Sequence, residues 1–230
     1  MAVPPAQTAR RPPLRAWALV VVAAVAGVVL AAPYVLLDIG SSRLEVTGRL
    51  HYGLLVAHVL TAAVALVLGP LQFVPAVRAH TGRHRAIGRA YLLAGVVPAG
   101  LTAVPVALLS GRLVTQVGLV VPAVGWLVTA ALAVRAIRRG DVEAHRSWMT
   151  RNYALTFLAV TARVLVPLML LAQVPFGVPA DTLRASAPAL IPVGQVLGWV
   201  VNLVVAEILI RRRRSAGVAV PREDAGTPAT

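Results

Sequence analysis

Cysteine is absent from the 230-residue chain, and its absence excludes disulfides, iron–sulfur clusters and thiolate metal sites. Lysine is absent too, so all 22 basic residues are arginine, which we attribute to a GC-rich genome rather than to function. Acidic residues number only eight, and the net charge is +14. Nucleic-acid binders share such a balance, but they gather basic residues on a soluble, polar or aromatic face. Here the arginines punctuate apolar runs, so no nucleic-acid partner is expected. With no thiolates and few carboxylates, any metal or haem must hang on the five histidines, His51, His58, His80, His84 and His145, aided by a handful of acids. Walker loops, GxSxG elbows, HExxH motifs and Rossmann fingerprints are also missing. The loops are mostly under about fifteen residues, too short for a soluble catalytic domain.

What is present is apolar surface. The hydrophobic fraction is 58 % and the mean hydropathy +0.80, against roughly 45–50 % apolar in soluble domains. Six apolar runs approach the length of about twenty residues that a spanning helix needs. They lie at about residues 16–37, 52–77, 90–109, 114–136, 152–173 and 190–210. None alternates with the period of two that a barrel strand shows. The expectation is an all-α, polytopic transmembrane helix bundle of six spans, whose lipid partner is the bilayer itself. Interior prolines kink such helices without excluding them, and Gly69-Pro70 is the sharpest expected break. The first run is longer than the core of a signal peptide, although Ala31-Ala32-Pro33 resembles a cleavage site. Residues 1–15, and a basic then small-residue tail over 212–230, are read as disordered.

Seventeen arginines fall on one side of this threading and four on the other, with Arg163 inside a span. The positive-inside rule then places both termini in the cytoplasm and the protein in the inner (plasma) membrane. Trp17, Tyr91, Trp148 and Tyr153 fall at the inner boundary, where aromatic side chains concentrate. Cytoplasmic arginines there are expected to lie on anionic headgroups, at about 1 kcal/mol each.

Two loops echo each other. His84-Arg85 precedes Arg89 and Tyr91, and His145-Arg146 precedes Arg151 and Tyr153, as a duplicated helix pair would give and as chance in arginine-rich loops would also give. These residues carry a resemblance. His58, Gly-Pro-Leu-Gln-Phe at 69–73, Arg78, His84-Arg85, Gly88-Arg89, Tyr91, Trp126, Gly140-Asp141, His145-Arg146, Trp148-Met149, Arg151-Asn152-Tyr153 and Ala159 to Arg163 form a set similar to the prokaryotic membrane family called domain of unknown function 2306, over about residues 50–165. The resemblance implies no activity.

The chemistry-bearing candidates divide by depth. A charge at the bilayer centre costs about 2.5–3.5 kcal/mol, so Arg163 needs compensation. Either it anchors a buried anion, such as a haem propionate, or it pairs with Glu207, with Asn202 taking one donor. His58 is read as an interhelical hydrogen-bond group, a ligand or a proton relay. His84 and His145 sit at the inner ends of separate helices, the arrangement of axial haem b ligands in membrane cytochromes. His80, His84 and His145, with Asp141 or Glu143, are the alternative metal site. Gln72 beside Gly69-Pro70, with Glu207, would serve a carrier. Three functions therefore stand: a haem- or quinone-linked redox membrane protein, a small-solute or proton-linked transporter, and a non-catalytic assembly or partner-binding subunit.

Overall fold

The computed structural model describes residues 14–41 and 46–218, and the tails read as disordered lie outside them except for residues 14–15 and 212–218. The described residues contain no strand. In chain order the helices are α1 (Leu14–Val35), α2 (Arg49–Leu71), the short α3 (Pro75–Ala79), α4 (Thr81–Ala90), a π-helical segment (Tyr91–Val96), α5 (Val97–Leu108), α6 (Leu113–Arg138), α7 (Val142–Thr156), α8 (Leu158–Leu171) and α9 (Ala180–Val218). Six stretches are long and apolar enough to cross a membrane: Ala16–Val35, Arg49–Leu71, Thr81–Leu108, Leu113–Arg138, Leu158–Phe176 and Ala180–Ala216. The fold is an all-α bundle with six candidate spans.

Several helices run beyond their apolar cores. The third run starts at Thr81 and the last at Ala180, because polar turns such as Thr-Gly-Arg-His-Arg are competent to form helix even though they add nothing to hydropathy. The described residues form two compact units divided between Leu127 and Val128, a boundary that falls inside α6.

In the first unit α2 is the central helix. Gly27 of α1 faces Val67, where an added Cβ would come within 3.1 Å of its side chain. Tyr34, Tyr52, Leu55, Val56 and Val106 form a buried cluster toward the other end of the pair. On its opposite flank α2 runs antiparallel to the α4–α5 rod. Gln72 lies against Gly88, Ala65 against Gly95 and His58 against Ala99. A Cβ on Gly95 would meet Ala65 Cβ at 2.8 Å and its backbone at 2.9 Å, so the two backbones touch and only glycine fits. The π-helical widening at 91–96 precedes Pro98, which has no N–H to give the Ala94 carbonyl, so the i→i−4 ladder is disturbed there. The expected break at Gly69-Pro70 is displaced: α2 runs through Pro70 to Leu71, and the Gln72 amide closes it on Gly69 O at 3.1 Å.

In the second unit Gly140-Asp141 joins α6 to α7 by two linked devices. Gly140 takes φ of 77° and donates to Ile137 O, while the Asp141 amide reaches back to Ala136 O at 3.0 Å. That is a Schellman closure, which needs a residue tolerant of left-handed backbone. Asp141 then caps α7, its Oδ1 accepting from the Ala144 amide at 2.9 Å. A turn at Phe157 separates α7 from α8, yet both run antiparallel to α9 in one register. Glu143 and Ser147 meet Arg213, Arg151 meets Glu207, Ala154 and Thr161 meet Asn202, Ala162 meets Gly198 and Val166 meets Gly194. Gly194 and Gly198, four apart, let α9 approach α8 closely, as glycine pairs do between membrane helices.

Candidate functional site

The polar chemistry of the second unit centres on α7. His145 projects from its second turn and is half-buried, with Nδ1 2.9 Å from Ala133 O of α6. A carbonyl only accepts, so Nδ1 carries the proton, and in the neutral ring the Nε2 lone pair is left available. Nearly two turns on, Arg151 grips Glu207 of α9 through both carboxylate oxygens, Nε at 2.5 Å and Nη2 at 3.1 Å. Its guanidinium also lies over the Trp148 ring, 4.6 Å from the centroid. Asn152, fully buried, donates from Nδ2 to Thr129 Oγ1 of α6 at 2.8 Å. At the start of α7, Arg213 Nη2 donates to Glu143 Oε1 at 2.8 Å and to Ser147 Oγ at 3.0 Å. The hydrogen bond from Arg213 holds the Glu143 carboxyl below its ordinary pKa, with smaller help from the Arg213 and Arg146 charges and from Ser147. The helix is thus fixed to α6 by neutral hydrogen bonds and to α9 by ion pairs.

The first unit holds the other candidates. His58 of α2 donates from Nδ1 to Ala99 O of α5 at 2.9 Å, a hydrogen bond between helices. His80, exposed between α3 and α4, makes the same kind of bond within its own turn, to Ala76 O at 3.2 Å. His51 is opposite in sense: its Nδ1 accepts from the Thr47 amide at 3.2 Å, which places the proton on Nε2. His84 is half-buried on α4, and its carbonyl lies 3.5 Å from Gln72 Nε2. Gln72 is buried, packed against Gly88, and helps seat α4 on the end of α2.

Glu207 is held by Arg151 rather than by the expected Arg163, whose Nη1 donates to Ala159 O, four residues earlier, at 2.9 Å. Asn202 accepts from Thr161 Oγ1 at 2.8 Å and donates to Ala154 O at 2.9 Å. The reason is register. Glu207 lies opposite Arg151 on the antiparallel α9, whereas Arg163 is three turns further along α7–α8 and leans toward its own helix's N-terminus. The metal alternative at His80, His84 and His145 gains no support, because among the described residues no group of three or more His, Asp or Glu is gathered to hold an ion. Asp141 is committed to capping and Glu143 to Arg213.

Sequence reasoning passed over the Arg151–Glu207 and Arg213–Glu143 clamps and the Asn152–Thr129 bond. Only part of this had a visible signal. Glu143, Ser147 and Arg151 share one α7 face by their spacing of four, and Gly194 and Gly198 form a small-residue motif. The identity of their partners depended on the α9 register.

The family model described as "Predicted membrane protein (DUF2306)" matches residues 55–210. No curated protein and no solved structure matches the chain.

Proposed function

The chain belongs to the DUF2306 family of predicted membrane proteins, and from that premise we propose that it is a haem- or quinone-linked redox protein of the inner membrane, with both termini in the cytoplasm. The observation that carries this reading is the Nδ1–H of His145 held on Ala133 O at 2.9 Å. Metal-bound histidines characteristically donate their second ring nitrogen to a carbonyl or carboxylate, which fixes the tautomer, the ring orientation and the basicity of the ligating nitrogen. The donor set suits a b-type haem, which takes imidazole ligands and needs no thiolate. His145 is the principal ligand candidate; Arg163 lies eighteen residues further along the α7–α8 rod, about 27 Å away and out of reach of a propionate of the same haem. Bound haem would supply one-electron chemistry, and the protein's part is to orient the imidazole and exclude water.

The seventeen-to-four arginine asymmetry supports the orientation, and the arginine-bearing ends then rest among anionic headgroups. The carrier reading receives no comparable support. Its polar residues Gln72, Asn202 and Glu207 are occupied in seating helices on one another.

The test is an oxidised and a dithionite-reduced absorption spectrum of the detergent-purified protein, expressed with haem precursor supplied. The expected result is a Soret band that shifts on reduction and is lost in His145→Ala. A folded but colourless wild type would overturn the haem reading and favour an assembly subunit, to be sought by co-purification.

A further inference from the structure

Haem ligation at His145 leaves His58 without a role. His58 lies near the middle of α2, well inside the span Arg49–Leu71, and its ring is half-buried rather than sealed. Its Nδ1 donates to Ala99 O of α5 at 2.9 Å, which fixes the tautomer as at His145. In the neutral ring the Nε2 lone pair is then left without a partner among the described residues. Two threonines accompany it. Thr102 Oγ1 lies 3.1 Å from the same Ala99 oxygen, so hydroxyl and imidazole share one acceptor, and Thr61 Oγ1 lies 3.2 Å from the carbonyl of His58 itself. Each hydroxyl spends its proton on its own helix, Thr61 on Ala57 O at 2.6 Å and Thr102 on Pro98 O at 2.7 Å. The side chains of this stretch therefore offer acceptors only: the imidazole Nε2 and the lone pairs of two hydroxyl oxygens.

We propose that His58 Nε2 binds a quinol, accepting a hydrogen bond from one phenolic hydroxyl within the membrane. Ionisable residues inside spans mark ligand and proton pathways. The ligand class follows from depth and polarity. The interior of a span admits molecules soluble in hydrocarbon, and a site made of acceptors holds only a molecule that donates. A phospholipid phosphodiester fails on both counts, because it carries acceptors and stays at headgroup depth. A quinol presents two hydroxyls on an otherwise apolar ring. The oxidised quinone has carbonyls in their place and brings no proton to Nε2, so the site favours the reduced form. The backbone contact of Gly95 on Ala65 and the bond to Ala99 hold the imidazole in place beforehand, which leaves little ordering to be done on binding. A quinol, rather than another lipid-soluble donor, follows from the redox reading proposed above, on which the assignment rests. The residues differ from the proposed haem ligand, so the two fail separately.

The experiment is isothermal titration calorimetry of the full chain in detergent, under nitrogen, with decylubiquinol and decylubiquinone as probes. Wild type is expected to bind the quinol about tenfold more tightly than the quinone, the worth of one well-placed hydrogen bond. His58→Asn is the discriminating variant. Its amide nitrogen takes the place of Nδ1 and keeps the bond to Ala99 O, while nothing replaces Nε2. It should hold the wild-type thermal midpoint and bind both probes alike. A wild type that binds both probes equally, or neither, would overturn the assignment whatever the stability of the variant. So would a preference for the quinol that survives in a folded His58→Asn. The haem spectrum of the same samples separates this site from haem ligation. A colourless protein that prefers the quinol through His58 overturns the haem alone, and a haem-bearing protein with no preference overturns this site alone.

Discussion

The two units solve the same packing problem with different chemistry. In each, a central helix runs antiparallel to a rod that begins in a short arginine-rich helix: α2 against α4–α5, and α9 against α7–α8. In the first unit the contact is made largely by backbone, with Gly95 on Ala65 and the His58–Ala99 bond across it. The arginines of α4 stand exposed and take no part. In the second, glycines again bring α8 and α9 together, but the arginine-rich end is locked by carboxylates and the rod is interrupted at Phe157. The lesson is that the His-Arg echo marks two positions in the chain without giving them one structure. α4 continues into its span through a π-helical turn, while α7 is a separately capped element clamped on two sides.

That contrast can be broken at its ends. The largest effect should come from Gly95→Leu, which drives a side chain into the Ala65 backbone. Overpacking of this kind costs about 1–3 kcal/mol and sometimes more, and with rigid backbone opposite we expect the upper end, read as a lowered thermal midpoint by circular dichroism in detergent. A midpoint unchanged by Gly95→Leu would show that α2 and the α4–α5 rod are not in backbone contact.

Charge should matter in the second unit only. Arg151→Ala strands Glu207. Removing one member of a buried pair costs about 3–5 kcal/mol, but the Glu207 side chain is 40 % exposed, so screening should reduce the loss to about 1–2 kcal/mol. The double variant Arg151→Ala/Glu207→Ala should recover part of it, whereas a purely additive double variant would deny the coupling. In the first unit, His58→Leu gives up one neutral hydrogen bond worth about 1 kcal/mol; a loss as large as that of Arg151→Ala would erase the distinction drawn here.

The smallest effect concerns pH. Glu143 is acidified in the fold, so its contribution is fully present above the ordinary carboxylate pKa and disappears as pH falls through its lower folded value. Amide protection factors at the start of α7, corrected for intrinsic exchange, should therefore be flat from pH 8 down to about 5 and fall only below the ordinary carboxylate range. A fall between pH 7 and 6 would assign the latch to a histidine instead.

Much of the architecture was legible because it depends on local composition. Runs of some twenty apolar residues mark spans. The ionic contacts were not. Arg163 was the conspicuous charge, so Glu207 was expected to answer it. The actual partner, Arg151, lies outside the apolar run and drew no attention. Choosing between two arginines three turns apart on one rod requires the register of α9, which glycine contacts at 194 and 198 set far from either charge. The tautomers were equally hidden, since the same residue type donates from Nδ1 at His58 and His145 yet accepts there at His51, according to which backbone group lies opposite.

The most direct test of the central claim, that Ala133 orients His145 as a haem ligand, is electron paramagnetic resonance of the ferric protein in wild type and in His145→Gly, with and without added imidazole. Wild type should give a low-spin signal, the variant should lose it, and imidazole filling the vacated position should restore it. A wild-type signal that survives His145→Gly unchanged, or a folded protein with no haem signal at all, would contradict it.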